Sequence, residues 1–236
     1  MLFHGGYDST LEEDYLALAA GALRRGYNVI AFDGPGQGST VREQGLHFRP
    51  DWEAVVTPVV DFALTLPEAD AERLVLIGMS LGGYLTTRAA AFEHRIAACV
   101  LYDGVYDFHA VIAATADRAA STPGGPEALM AQNTMVRWVV HDGAFGVSDL
   151  NELVKATEAY TMAGIADRIT CATLVLEAEN DQFFKGQPQR LLDELTCQKE
   201  LISFREDEGA GEHCHEGALS LFHQRTFDWL DTALVG

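Results

Sequence analysis

Apolar positions along the chain follow two rhythms that alternate. Short runs at 28–32, 74–77, 96–102, 173–177 and 200–204 are rich in Val, Ile, Leu and Phe and read as buried strands. Longer stretches between them place apolar side chains three or four residues apart, the spacing of one helix face. These cover 11–25, stopped by Gly26; 51–66, which contains Pro58; 81–93; and a closing stretch over 216–234. The alternation predicts an α/β fold, a mostly parallel sheet flanked by helices. Residues 103–172 carry no strand signal, and a structureless loop of that length does not suit a compact domain. Ala- and Leu-rich pieces at 110–120, 126–140 and 149–163, punctuated by Pro123-Gly124-Gly125, predict a small helical cap over 105–168 within a single domain of 1–236.

Candidate chemistry gathers where strands are expected to end. Gly78-Met79-Ser80-Leu81-Gly82 is a GxSxG motif between an apolar run and a helical stretch. Its glycines permit a strained strand-to-helix turn that raises the Ser80 hydroxyl above a sheet. The Leu81 N–H would then sit at a helix N-terminus, aimed at a developing oxyanion. A glycine-rich packing turn is the structural alternative, but the strand before it and the helix after it favour a nucleophile. His4-Gly5-Gly6-Tyr7 reads as the loop that completes an oxyanion hole, through the N–H of Gly6 or of Tyr7.

A serine nucleophile needs a base and an acid that orients it. In the chain order serine, acid, histidine, Asp181 ends a strand-like run, with Glu177 and Glu179 as nearby competitors. The late histidines are His213, His215 and His223. His213 is favoured because it lies in a glycine-bearing loop just past the last strand, whereas His223 falls inside the closing helix. The cluster Glu212-His213-Cys214-His215-Glu216 has an HxH pair, yet no further ligand stands at convincing spacing, and no metal is expected. Asp33-Gly34-Pro35-Gly36-Gln37-Gly38-Ser39 lacks the lysine of a P-loop and the spacing of GxGxxG, so no nucleotide cofactor is expected. It reads as a tight turn beside the site, with Asp33 touching substrate or positioning the His4–Tyr7 loop.

Charge narrows the partners. With 16 basic and 35 acidic residues the formal net charge is −19, a surface that repels nucleic acid and anionic lipid. Neither a basic leader nor an apolar run of spanning length occurs, so a cytoplasmic protein is expected. Cys99, Cys171, Cys197 and Cys214 lack CxxC spacing and are expected as reduced thiols.

The runs HGGYDSTLEEDY, FDGPGQGS, GMSLGGYLTTRAAAFEHRIAA, DGVYDF and GEHCHEGA together resemble one branch of the α/β hydrolases. That branch includes 2,6-dihydroxypseudooxynicotine hydrolase and fungal polyketide-shortening hydrolases. The resemblance covers nearly the whole chain and is weakest over the cap. It implies an α/β-hydrolase fold and a triad of Ser80, Asp181 and His213. It also implies retro-Claisen cleavage of a carbon–carbon bond beside a ketone, in which an extra acid beside the triad, with Asp103 and Asp107 as candidates, would assist proton traffic and touch substrate. A homodimer acting on a small molecule is implied as well. The branch carries an N-terminal helical region and first strands that this sequence does not show, so the fold is expected to be shortened or the sequence to be a piece of a longer protein. A smaller ester or lactone is the alternative substrate. A non-catalytic ligand-binding protein of the same fold is the alternative of another class.

Overall fold

Every strand-like run of the sequence enters one parallel sheet. The computed structural model describes residues 1–134, 136–137 and 143–234. Its strands are β1 (Leu2–His4), β2 (Ile30–Ala31), β3 (Val75–Met79), β4 (Ala98–Tyr102), β5 (Ala172–Ala178) and β6 (Lys199–Phe204), in the spatial order β2-β1-β3-β4-β5-β6. The short β1 is an interior strand: Phe3 stands opposite Ala31 on one side and Ile77 on the other.

Both faces of the sheet are covered, which is why its strands read as continuous apolar runs instead of alternating ones. Leu2 and Leu76 point to one face, into a core with Trp52, Val56, Tyr84 and Tyr160. Phe3, Val75, Ile77 and Val100 point to the other and pack against Leu18, Phe222 and Leu230.

The first helical stretch is not one regular helix. It comprises α1 (Leu11–Asp14), a π-helical turn (Tyr15–Ala19) and α2 (Ala20–Arg24). Thr10 caps it by accepting a hydrogen bond from the Glu13 N–H. The π turn shifts the phase of the helix, so Ala17, Leu18 and Ala22 face the sheet while Leu11, Tyr15, Leu16 and Leu23 stay exposed. After α3 (Gly38–Gln44), α4 (Glu53–Ala63) runs straight through Pro58. Proline removes the donor to the Ala54 carbonyl, but both residues lie on the exposed side of the helix, where water can take that carbonyl.

Helix α5 (Leu81–Ala90) follows β3 directly. Between β4 and β5 come α6 (Phe108–Ser121), α7 (Gly125–Gln132) and α8 (Leu150–Ala156), and a bridge between Asp107 and Thr161 ties the two ends of this insertion together. Part of the helix expected over 126–140 lies outside the described residues. Phe145 anchors the insertion: its ring meets Tyr7, Phe48, Phe108 and Tyr160 at centroid distances of 5.0–6.0 Å.

Helix α9 (Gln187–Glu194) packs beside β6, and α10 (Leu219–Ala233) closes the fold. The last helix begins later than its apolar pattern suggests, because Gly217 holds φ 88°, after a 3-10 turn at 213–215 in which Cys214 and His215 also hold positive φ. All four cysteines are free thiols, with the sulfurs of Cys99 and Cys171 3.8 Å apart. No helix among the described residues is long and apolar enough to cross a membrane.

Because the strands are parallel, their carboxyl ends share one edge of the sheet, the usual place for a site in such folds. The loops bearing Gly5, Asp33, Ser80, Asp103, Asp181 and His213 all leave from that edge.

Phe222 of α10 stacks on Tyr102 of β4, with centroids 3.9 Å apart, and is fully buried. Phe222→Ala is expected to destabilise the protein by about 3–5 kcal/mol, read as a lower denaturant midpoint in equilibrium unfolding.

Candidate active site

Ser80 sits at a strained bend between β3 and α5, with φ 59° and ψ −124°. Two backbone bonds hold the bend: Ser80 N–H donates to the Tyr102 carbonyl at 2.8 Å, and Gly83 N–H donates to the Ser80 carbonyl at 2.8 Å. A side chain at Gly78 would come within 2.1 Å of the Gly82 carbonyl oxygen, so the bend closes only with glycine there.

His213 reaches this serine from the loop after β6. Its Nε2 lies 3.0 Å from Ser80 Oγ, and its Nδ1 lies 2.9 Å from Asp181 Oδ2. The other oxygen of Asp181 accepts the N–H groups of Phe183 and Phe184 at 2.7 and 3.0 Å, which fixes the carboxylate in the loop after β5. With its Nδ1 proton facing a carboxylate, the imidazole leaves Nε2 free to accept from the Ser80 hydroxyl.

Electrostatics support this tautomer. Burial pushes the Asp181 carboxyl up, but the hydrogen bond and charge of His213, with the two amides, hold it below the usual range. Burial also pulls the His213 pKa down, and its bond to Asp181, with the charges of Asp103 and Asp181, more than offsets this and leaves it raised.

Across the serine lies the His4–Tyr7 loop. A side chain at Gly6 would meet the Met79 carbonyl oxygen at 2.6 Å and Ser80 Cβ at 2.8 Å, so this loop presses directly on the bend. The Gly6 N–H, expected as an oxyanion donor, instead donates to Ser9 Oγ at 2.9 Å. Leu81, at the first position of α5, and Tyr7 are the other backbone donors named from the sequence. His4 donates from Nδ1 to the Gly5 carbonyl at 3.1 Å and pairs through Nε2 with Thr86 Oγ1 at 3.2 Å. Burial lowers its pKa to about 4, so it stays neutral and structural.

Gln37 was not singled out in the sequence, yet it fastens this loop. Its Nε2 donates to the carbonyls of Gly5 and Gly6 at 2.6 and 3.1 Å, while its Oε1 accepts the Gly34 N–H at 2.8 Å. The only available signal was a polar residue inside a glycine turn that follows a strand. Asp33, expected to touch substrate or position the loop, accepts the Ser39 N–H at 3.3 Å and shapes its own turn.

Other expectations are redistributed. Asp103 is 1% exposed and lies on the Nδ1 side of His213, away from Ser80, so it does not line a substrate pocket as expected. Its buried carboxyl has a pKa pushed up to about 6, against the opposing charge of His213. Asp107 caps α6 by accepting the Ala110 N–H at 2.9 Å. His215 is fully buried, stacked 3.8 Å from Phe204, and desolvation lowers its pKa to about 3. His223 donates to the Ala17 carbonyl at 2.7 Å, Glu177 accepts from Ser203 and Glu179 from the Glu206 N–H. The HxH pair is therefore split, one ring toward Ser80 and the other in the core. Ligand atoms of Asp103, His213 and Cys214 lie within 4.8 Å of one another, but a cation there would compete for the Nδ1 that faces Asp181.

Comparison with known proteins bears on the fold and the family. The chain is 36% identical to the 20-hydroxy-prefusarin hydrolase FUS2 of Gibberella moniliformis over 98% of its length and 61% of that protein's. It is 34% identical to the hydrolase acrC of Aspergillus aculeatus, over 98% of its length and 59% of that protein's. The chain thus spans about three fifths of the length of these relatives. Among solved structures, 2,6-dihydroxy-pseudo-oxynicotine hydrolase superposes with a TM-score of 0.76 at 23% identity, covering 99% of this chain and 60% of that one. The ferulic-acid-bound Est1E of Butyrivibrio proteoclasticus superposes with a TM-score of 0.69 at 16% identity, covering 100% and 89%. At these identities the two structures speak for the fold alone. The alpha/beta hydrolase family model matches residues 1–225, and the chain belongs to that family.

Proposed function

We propose that this chain is a serine hydrolase that cleaves a ketone- or ester-containing small molecule through an acyl-enzyme on Ser80. The observation that carries this reading is the relay of Ser80 Oγ to His213 Nε2 at 3.0 Å and His213 Nδ1 to Asp181 at 2.9 Å. In it, Ser80 Oγ attacks the substrate carbonyl as His213 Nε2 takes its proton. The oxyanion that forms lies at the N-terminus of α5, against the N–H of Leu81 and the His4–Tyr7 loop. The tetrahedral intermediate then collapses, the leaving group departs with the bonding pair, and His213 returns the proton to it. Water, deprotonated by the same imidazole, hydrolyses the acyl-serine and restores the enzyme.

Carbon–carbon and ester cleavage differ here only in the leaving group, an enolate carbon or an alkoxide oxygen. The favoured reading is carbon–carbon cleavage of the retro-Claisen type, which the resemblance of the motifs to one hydrolase branch implies. Similarity to 20-hydroxy-prefusarin hydrolase along nearly the whole chain supports hydrolysis as such. Ester or lactone cleavage is the second reading.

Ser80→Ala is expected to lower turnover by roughly 10⁴-fold or more. A fluorophosphonate probe should label the wild type and not the variant, and equal labelling of both would refute the reading. β-Diketones assayed beside p-nitrophenyl esters separate the two leaving groups: turnover of short esters alone would count against carbon–carbon cleavage. Because His213 must be neutral to act and its pKa is raised, kcat/KM should fall with decreasing pH through a value above 6.5. Gln37→Ala unfastens the oxyanion loop and is expected to lower kcat by roughly 10–100-fold with a smaller change in KM, in steady-state assays.

A further inference from the structure

His213 offers its Nδ1 to two carboxylates. Asp181 Oδ2 is 2.9 Å from that nitrogen and Asp103 Oδ2 is 3.3 Å from it. The acids come from different strands, Asp181 after β5 and Asp103 after β4. Asp103 keeps an uncommon conformation for a residue with a side chain, φ 74°, which costs energy wherever it is not needed. It is buried, its Oδ2 takes the Cys214 thiol at 3.2 Å, and its Oδ1 has no hydrogen-bond partner among the described residues. A buried carboxyl so poorly satisfied is unfavourable unless a positive charge forms beside it. Of the groups around it, the imidazole is the one that becomes a cation in turnover.

We propose that Asp103 is a second carboxylate partner of His213, which holds the Nδ1–H together with Asp181 and shares the positive charge the imidazole gains when Ser80 attacks. The proposal rests on the reading of Ser80 as nucleophile and His213 as base. Asp103 is a positioning residue, since Nδ1 and Nε2 lie on opposite sides of the ring and only Nε2 faces the serine. Glu216 adds its charge near His213, and Tyr102 and Cys214 complete the titratable groups around Asp103. With two acids in place, loss of either leaves the other to keep the imidazole in its working tautomer.

The test compares Asp181→Asn, Asp103→Asn and the double variant with wild type and Ser80→Ala, reading the pH-dependent rate of fluorophosphonate labelling. Asparagine tolerates the left-handed backbone at 103, and circular dichroism checks the fold of each variant. Loss of the orienting acid from a triad that has only one costs about 10⁴-fold. Here Asp181→Asn is expected to lose less than about 100-fold and the double variant about 10⁴-fold. Asp103→Asn should also move the acid limb of the profile to lower pH, because one charge that favours the imidazolium is gone. A full 10⁴-fold loss in Asp181→Asn, with no further loss in the double variant and an unmoved acid limb in Asp103→Asn, would overturn the proposal. If Asp103→Asn does not fold, proton NMR of Asp181→Asn decides: a retained downfield Nδ1–H signal supports Asp103 as acceptor, and its disappearance refutes it. Undiminished labelling of Ser80→Ala would overturn the nucleophile reading and this proposal together, whereas loss in Ser80→Ala beside an inert Asp103 overturns the proposal alone.

Discussion

The site depends on one backbone contact, the donation of the Ser80 N–H to the Tyr102 carbonyl at the end of the neighbouring strand. It locks a serine with positive φ at the point where β3 stops and α5 begins. Once the chain is held there, the hydroxyl stands above the sheet edge and the helix N-terminus points at the same space. The parallel sheet does the remainder, because every other strand delivers its following loop to the same edge. Tyr102 links this contact to His213 as well: its hydroxyl donates to the Cys214 carbonyl, next to that histidine, while its ring stacks on Phe222. Ser80 and the loop of His213 thus share one anchoring residue.

Around that anchor the charges are arranged unevenly. One imidazole, His213, faces two carboxyls, whereas His4 and His215 are held neutral by burial. The neutral pair still matters: His4 ties the Gly5 carbonyl to α5 through Thr86, and His215 fills the space between Phe204 and Tyr102. Histidines of the same type take different roles here because of what surrounds them, a carboxylate pair in one case and aromatic walls in the others.

Much of this was legible along the chain. Ser80, Asp181 and His213 could be named because each follows an apolar run and their order suits a nucleophile relay, and strand positions were readable because both sheet faces are buried. Gln37 and Ser9 could not be named, since a polar residue in a loop shows its partner only when the loop is folded. Asp103 was legible as an extra acid near the site because it follows a strand, but the side of the imidazole on which it arrives is set by packing.

The sequence by itself determined the alternation of strands and helices, the glycines that permit the bend at Ser80, and the candidates Ser80, Asp181 and His213. These are local properties, written in spacing and in the conformational freedom of glycine. Tertiary structure alone decided that the Gly6 N–H is spent on Ser9, that Gln37 fastens the His4–Tyr7 loop, and that Asp103 meets the Nδ1 of His213. Each of those outcomes is a distance between groups far apart in the chain or a direction of a single N–H, and packing sets both.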